Sequence, residues 1–105
     1  MYLQDYELIV AQLTNNVATC YFKMKNYQEA DVWNNQALIE CPDYAKAIYR
    51  KCTIQEANGD YSAAIQMAKW GIQRFNDDFE EEQNREVVPS FKKIIERCEP
   101  LVGDE

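Results

Sequence analysis

Histidine is absent from the 105-residue sequence. Its absence removes the side chain that most often acts as a general base near neutral pH, and with it the commonest metal ligand of proteins. Cysteine occurs four times without C-x-x-C spacing, and three of the four stand among helix-forming residues where a small apolar side chain packs well. We therefore expect structural thiols, no catalytic triad, no metal site and no other cofactor.

Glycine, proline and basic residues are also scarce. Glycine and proline number three each, and no glycine-rich phosphate-binding loop is present. Eleven Lys and Arg residues stand against eighteen Asp and Glu residues, so the net charge is −7 and we expect neither nucleic acid nor an anionic membrane as a partner. No apolar run approaches the roughly 18 residues of a spanning helix, and residues 1–10 carry acids where a signal peptide carries bases. We expect a cytoplasmic protein that is not an enzyme.

The residues that are present repeat with a constant period along the first three quarters of the chain. Six pairs of residues of similar character lie 34 positions apart: Ala18 and Cys52, Asn26 and Asp60, Tyr27 and Tyr61, Ala30 and Ala64, Ala37 and Gly71, and Cys41 and Phe75. Asn26 and Asp60 are of types that cap helix N-termini, and small residues allow helices to approach closely. A hydrophobic content of 47% suffices for one domain with a modest core. The period predicts a helical repeat.

The first repeat resembles the tetratricopeptide repeat, a helix-turn-helix unit of about 34 residues, which is the period seen here. Six residues stand where this family places Leu-Gly, Tyr, Ala, Ala and Pro: Val17, Ala18, Tyr21, Ala30, Ala37 and Pro42. Thr14 and Asn34 replace the aromatic residues usual in the family, and the second repeat is more degenerate. The resemblance implies an all-α fold of two tetratricopeptide repeats, residues 11–44 and 45–76, followed by a C-terminal capping helix.

The spacing of apolar residues places a front helix and a back helix in each repeat. The four-residue spacing of Ile9, Leu13, Val17 and Tyr21 predicts one buried stripe on the first front helix, which ends near Lys25 and Asn26. A proline at position 42 disfavours helix at the residue before it, and Asp43 is expected to cap the next helix. The helices predicted after the first are Tyr27–Glu40, Ala45–Ala57, and one that follows the turn Asn58-Gly59-Asp60 and runs from Tyr61 to Phe75.

Residues 77–105 form an acidic segment with ten acidic and four basic residues, for a net charge of −6. The apolar residues of the segment predict a helix that caps the last repeat: Phe79, Val87, Val88, Phe91, Ile94, Ile95 and Cys98. Pro89 removes a helix hydrogen bond, so we expect a kink or a break there. The acidic run of residues 77–82 is expected at the start of this helix, where the helix dipole favours it.

Residues 1–10 are interpreted as the end of a preceding repeat or as a linker. Fewer than three repeats rarely bury a stable core. We therefore expect the first helix to be a surface on which an upstream repeat packs, or one through which the protein associates with itself. A natural two-repeat protein is the other interpretation.

Two segments resemble the tetratricopeptide domains of co-chaperones, particularly those that follow the isomerase domain in immunophilins. Asn16-Val17-Ala18-Thr19-Cys20 is similar to their Asn-Leu-Ala-x-Cys segment, and Lys46-Ala47-Ile48-Tyr49-Arg50-Lys51 to their Lys-x-x-x-Arg-(Arg or Lys) segment. In that family these residues form part of a carboxylate clamp, which grips the C-terminal aspartate of heat-shock chaperones ending in Glu-Glu-Val-Asp. The resemblance implies peptide binding by Asn16, Lys46, Arg50 and Lys51, with Lys23 adding positive potential at the rim.

The family clamp also takes a Lys and an Asn from a preceding repeat, for which there is no room before Tyr6, so three of five clamp positions are present. We expect Lys46 and Arg50 at the surface, where the substitution Arg50→Ala would weaken acidic-peptide binding with little effect on stability. Two other functions remain open. One is a structural scaffold that assembles through Trp33, Trp70 and the capping helix. The other is the adaptor region of a peptidyl-prolyl isomerase whose catalytic domain lies upstream.

Overall fold

Five α-helices and a final 3-10 helix make up the part of the chain that the computed structural model describes, residues 3–75 and 82–104, with side chains described for residues 6–75 and 86–103. The elements are α1 (Leu3–Lys23), α2 (Tyr27–Glu40), α3 (Ala45–Ala57), α4 (Tyr61–Phe75), α5 (Glu82–Cys98) and the 3-10 helix Glu99–Asp104. No strand occurs in these ranges. The predicted all-α fold is confirmed, and the predicted bounds of α2, α3 and α4 agree with the structure.

The turn between α1 and α2 recurs one sequence period later between α3 and α4. Four hydrogen bonds define the two turns: Lys25 N–H to the Phe22 carbonyl (2.9 Å), Asn26 N–H to Tyr21 (2.9 Å), Gly59 N–H to Glu56 (3.1 Å) and Asp60 N–H to Gln55 (2.9 Å). Lys25 (φ 63°) and Gly59 (φ 82°) both have left-handed backbones. This is the Schellman pattern, which satisfies the last carbonyls of a helix. The structure therefore repeats at the period seen in the sequence.

Small buried residues recur with the same period at the contacts between helices. Four pairs are buried: Ala11 and Ala45, Ala18 and Cys52, Ala30 and Ala64, and Ala37 and Gly71. Where the two repeats meet, Ala11 packs with Ala37 of α2 and Ala47 of α3. Small side chains let the helix axes approach, which is why these positions tolerate little bulk.

The predicted buried stripe of α1 is wrong at its first two positions. Ile9 is 41% exposed and Leu13 is 60% exposed, whereas Ala11, Asn15 and Ala18 are buried. The buried residues follow the i, i+4, i+7 spacing of one helical face. That face packs against α2 and α3 because close helix contact selects its small residues over the larger apolar side chains on the opposite face. Residues 3–10 are a continuous part of α1, which they lengthen by about two turns.

One predicted cap is confirmed and another is wrong. The Asn26 side chain accepts a hydrogen bond from the Glu29 backbone N–H at 3.3 Å, so Asn26 caps α2. The residue at the start of α3 is Tyr44, whose side chain makes no capping hydrogen bond. Asp43 instead forms a two-pronged ion pair with Arg74 of α4, at 3.3 and 3.0 Å. The two hydrogen bonds from the Arg74 guanidinium orient the Asp43 carboxylate toward α4, so it does not cap α3.

Helix α5 packs against α3 and α4 and closes the second repeat, as the sequence predicts. Its buried residues are Val87, Phe91, Ile94 and Cys98. The Phe91 ring lies parallel to Phe75 of α4, with 6.5 Å between centroids, and 6.2 Å from Tyr49 of α3. Of the kink or break expected at Pro89, the break does not occur, since the helix is continuous from Glu82 to Cys98. Val87 and Phe91, on either side of Pro89, are buried, and the free energy gained by burying them offsets the loss of the one helix hydrogen bond that proline removes.

Residues 77–81, which include Phe79 and most of the acidic run, lie outside the described residues. Within the described ranges, the helices lack the combination of length and apolar character needed to cross a membrane. The front helices α1 and α3 and the C-terminal helix α5 lie side by side, with α3 in contact with both of its neighbours. This arrangement creates the candidate site.

Candidate functional site

A recess of about 290 Å³ lies over α3, between α1 and α5. Its polar walls come from Asn15 and Asn16 of α1, Lys46 and Arg50 of α3, and Glu86 and Ser90 of α5. Lys46 and Arg50 project from one face of α3 because they are four residues apart. Asn16 stands one period before Arg50, at the equivalent position of the first repeat. The structure thus brings three of the predicted site residues, Asn16, Lys46 and Arg50, into one recess.

Arg50 is held in place by its surroundings rather than extended into solvent. Its guanidinium carbon lies 4.8 Å from the centre of the Phe22 ring, and its Nη1 donates to Thr53 Oγ1 at 3.4 Å. The side chain is half-buried, which corrects the expectation of a surface arginine. Burial lowers the pKa of Arg50 from its ordinary value, but a guanidinium remains charged at neutral pH.

Two buried polar atoms near the recess have no hydrogen-bond partner among the described residues. One is the Nε of Arg50, a donor, and the other is Oδ1 of Asn15, an acceptor on a side chain that belongs to the buried face of α1. Buried polar atoms in folded proteins are almost always paired, since an unpaired one costs about 1–3 kcal/mol. Asn34 Oδ1 and Gln55 Oε1, which lie outside the recess, are likewise buried without a partner among the described residues, so this feature does not single out the recess.

The recess holds two positive charges and one negative charge. Lys46 and Glu86 are exposed, and Glu86 makes no ion pair within 4.0 Å of any cation in the described part of the chain. The positive charges lie on the floor, on α3, and the negative charge lies on the α5 wall. The α1 wall carries neutral amides. A ligand carboxylate is therefore attracted to the floor and repelled by one wall.

The structure places Lys51 and Lys23 away from the recess. Lys51 Nζ lies 2.7 Å from Asp31 Oδ1 and 2.9 Å from Asn35 Oδ1, so it joins α3 to α2. Lys23 is in the last turn of α1 and does not line the recess.

Sequence reasoning missed five polar or aromatic residues of the recess: Asn15, Thr19, Tyr49, Glu86 and Ser90. Helical spacing was a usable signal for Thr19 and Tyr49, because each lies three residues after a predicted site residue on the same helix. Asn15 was detectable as the polar member of the buried Ala11–Ala18 face. The sequence carried no signal for Glu86 and Ser90, because nothing in it indicates which helix α5 packs against.

An apolar groove of about 490 Å³ lies on the other side of α3. Its lining includes Leu38 of α2, Ile48 of α3, and Met67 and Trp70 of α4. Ile48 is two residues after Lys46, which rotates it by about 200° around the helix axis. The groove and the recess therefore lie on opposite faces of α3. Trp70 stands at the groove with 45% of its surface exposed.

Two of the four cysteines, Cys52 and Cys98, are buried as structural thiols are, whereas Cys20 is exposed, which corrects the expectation that it packs in the core. Burial raises the pKa of Cys52 to about 12 and also raises the pKa of Cys98, so both thiols stay protonated at neutral pH. No group of three or more Cys, Asp or Glu side chains in the described ranges is arranged to hold a metal ion.

Comparison with known protein families, with curated proteins and with solved structures finds no match to this chain. The features of the chain that bear on function are the repeated helical pairs and the recess. The helical pairs share a turn that recurs in the second repeat. The recess holds hydrogen-bond donors from the adjacent front helices α1 and α3.

Proposed function

We propose that the protein is a non-catalytic, tetratricopeptide-type module that binds the free C-terminal carboxylate of a partner protein. The observation that carries the proposal is the convergence of Asn16, Lys46 and Arg50 in one recess. The partner implied by the resemblance is a heat-shock chaperone ending in Glu-Glu-Val-Asp, bound in the cytoplasm. Such a role makes the protein a co-chaperone, an adaptor that recruits a chaperone without performing a reaction.

The chemistry of the three side chains fits a carboxylate. Lys46 offers an ammonium group, Arg50 a guanidinium at the floor of the recess, and Asn16 an amide N–H. Charge-assisted hydrogen bonds to a carboxylate contribute about 1.5–3 kcal/mol each. Because Phe22 and Thr53 already hold Arg50, little conformational freedom is lost when the ligand binds.

The recess is an open depression of about 290 Å³, which has room for the end of a peptide. The α5 wall closes the recess on the side away from α1. A recess of this kind suits a chain terminus, whose free carboxylate the cationic floor attracts.

The test is calorimetry of the full chain with a free-acid Glu-Glu-Val-Asp peptide and with its C-terminally amidated twin. The free acid is expected to bind and the amide to bind much more weakly. Arg50→Met should weaken binding about 10- to 100-fold, since it removes a charge-assisted contact but keeps the apolar stem that packs on Phe22. Lys46→Met should have a smaller effect, because a flexible ammonium loses more order on binding.

The matched control is Lys69→Met, which removes the same charge from an exposed position on α4 outside the recess. It is expected to bind like the parent. Equal binding of the free acid and the amide, or parent-like binding by Arg50→Met, would contradict the proposal.

A second candidate function is a structural scaffold, and the apolar groove between α2 and α4 favours it. Trp70 at this groove is 45% exposed, and on α1 the side chains of Tyr6 and Leu13 are each 60% exposed. Exposed apolar surface of this kind is typical of protein contacts. Sedimentation of the parent across a wide concentration range, with Leu13→Ser as the comparison, tests self-association through α1.

A further inference from the structure

The recess contains an acidic side chain that faces the same space as its cations. Glu86 stands on the α5 wall, opposite the amides of α1, and forms no ion pair within the described residues. Its carboxylate lies more than 4.0 Å from the charged nitrogens of Lys46 and Arg50. A ligand in the recess therefore experiences the negative charge of Glu86 together with the positive charges of Lys46 and Arg50.

The position of Glu86 is fixed by the packing of α5. Val87, the next residue, is buried, and Phe91 one turn further along is fully buried against Phe75 and Tyr49. The Ser90 hydroxyl donates to the Glu86 backbone carbonyl at 3.3 Å, which adds a contact within the same helical turn. The backbone that carries Glu86 therefore cannot withdraw from the recess without exposing the core of the second repeat.

Resting on the proposed function, we infer that Glu86 determines which C-termini the recess accepts. It opposes a ligand that has further acidic side chains next to its terminal carboxylate, and it favours a ligand that has a cationic side chain there. The floor binds the terminal carboxylate through Lys46 and Arg50, while the wall selects the charge of the residues that precede it. Among C-terminal peptides with a free carboxylate, one with a nearby Lys or Arg is therefore bound more tightly than Glu-Glu-Val-Asp, which Glu86 weakens without excluding.

The expected size of the selection follows from the exposure of Glu86. Because water screens exposed charges, attraction or repulsion between Glu86 and one charge on the ligand changes the binding affinity by only about 1.5- to 5-fold. An electrostatic effect of this origin must also shrink as salt is added, since the Debye length falls to a few Å near 1 M.

The test uses two N-acetylated peptides, Glu-Glu-Val-Asp and Lys-Lys-Val-Asp, which share the C-terminal residues Val-Asp. Each is titrated into the full chain. Glu86→Gln is expected to tighten the binding of the Glu-Glu peptide about 1.5- to 5-fold and to weaken that of the Lys-Lys peptide by a similar factor. Glu96→Gln is the matched control, because it makes the same change in net charge at an exposed site on α5 about 15 Å further along the helix. It should shift both peptides much less.

The outcomes separate this inference from the function it rests on. If both peptides require a free carboxylate and Arg50, but Glu86→Gln changes their affinities equally or not at all, the role of Glu86 is refuted and the proposed function stands. A Glu86→Gln effect that Glu96→Gln reproduces also refutes it, since the effect is then one of net charge. If neither peptide binds, the proposed function and this inference both fail.

Discussion

The contact between Gly71 of α4 and Phe91 of α5 predicts that the substitution Gly71→Ala destabilises the protein. A Cβ added at Gly71 would lie 2.6 Å from Cε2 and Cζ of the Phe91 ring and 2.9 Å from Cδ2. The ring has little freedom to move, because Phe91 is fully buried and lies parallel to Phe75. The helix pair α4 and α5 must therefore separate to admit one methyl group.

The expected magnitude is a balance of two opposing effects. Overpacking a core costs about 1–3 kcal/mol, and contacts as short as 2.6 Å belong at the upper end of that range. Replacing glycine by alanine within a helix returns about 1 kcal/mol through helix propensity. The net expectation is a loss of about 1–2 kcal/mol in the free energy of unfolding.

Urea unfolding of the full chain measures this loss as a lower midpoint with an unchanged slope. Gly103→Ala is the control, because an added Cβ there meets no atom within 4 Å, and its stability should stay within about 0.5 kcal/mol of the parent. Phe91→Leu removes the ring, so adding Gly71→Ala to it should cost less than Gly71→Ala costs in the parent. A Gly71→Ala protein that is as stable as the parent, or more stable, would refute the reasoning.

Two further predictions concern the turn after α1 and the buried thiol of α3. Lys25→Gly should raise the free energy of unfolding by about 0.5–1 kcal/mol, because Lys25 has a left-handed backbone (φ 63°) that glycine adopts without strain; a lower urea midpoint would contradict this. The folded state keeps Cys52 protonated up to about pH 12, whereas an unfolded thiol ionises near pH 8.5. The stability contributed by the raised pKa is therefore complete below about pH 8.5 and is lost as the pH rises toward 12. Unfolding measured from about pH 8 to 10 should show a steeper fall for the parent than for Cys52→Ala, and equal slopes would contradict the prediction.

The bounds of the helices were predictable because local residues set them. Pro42 ends one repeat, and Asn58-Gly59 supplies a turn whose left-handed residue is glycine. The buried face of α1 was not predictable from the size of its apolar residues. Close packing against α2 and α3 selected Ala11 and Ala18, and left Leu13 exposed, which is a property of the helix contacts and not of α1 alone.

The recess was predictable only as far as the repeat extends. Asn16 and Arg50 are related by the period of the repeat, so their proximity could be expected from the sequence. Glu86 lies beyond the second repeat, where the period fails, and its place in the recess depends on how α5 packs. Asp43 shows the same limitation, because its ion pair with Arg74 joins two different helical units and replaces a local capping bond.

The central claim, that the recess binds a free carboxylate, is tested most directly by ¹⁵N NMR spectra of the labelled full chain during titration with free-acid Glu-Glu-Val-Asp. The largest shifts are expected for the guanidinium N–H signals of Arg50 and for the side-chain amides of Asn15 and Asn16, because these residues line the recess. The amidated twin should leave these signals nearly unchanged. Free-acid peptide that shifts the Trp70 indole at the α2–α4 groove and leaves Arg50 and Asn16 unmoved would contradict the account.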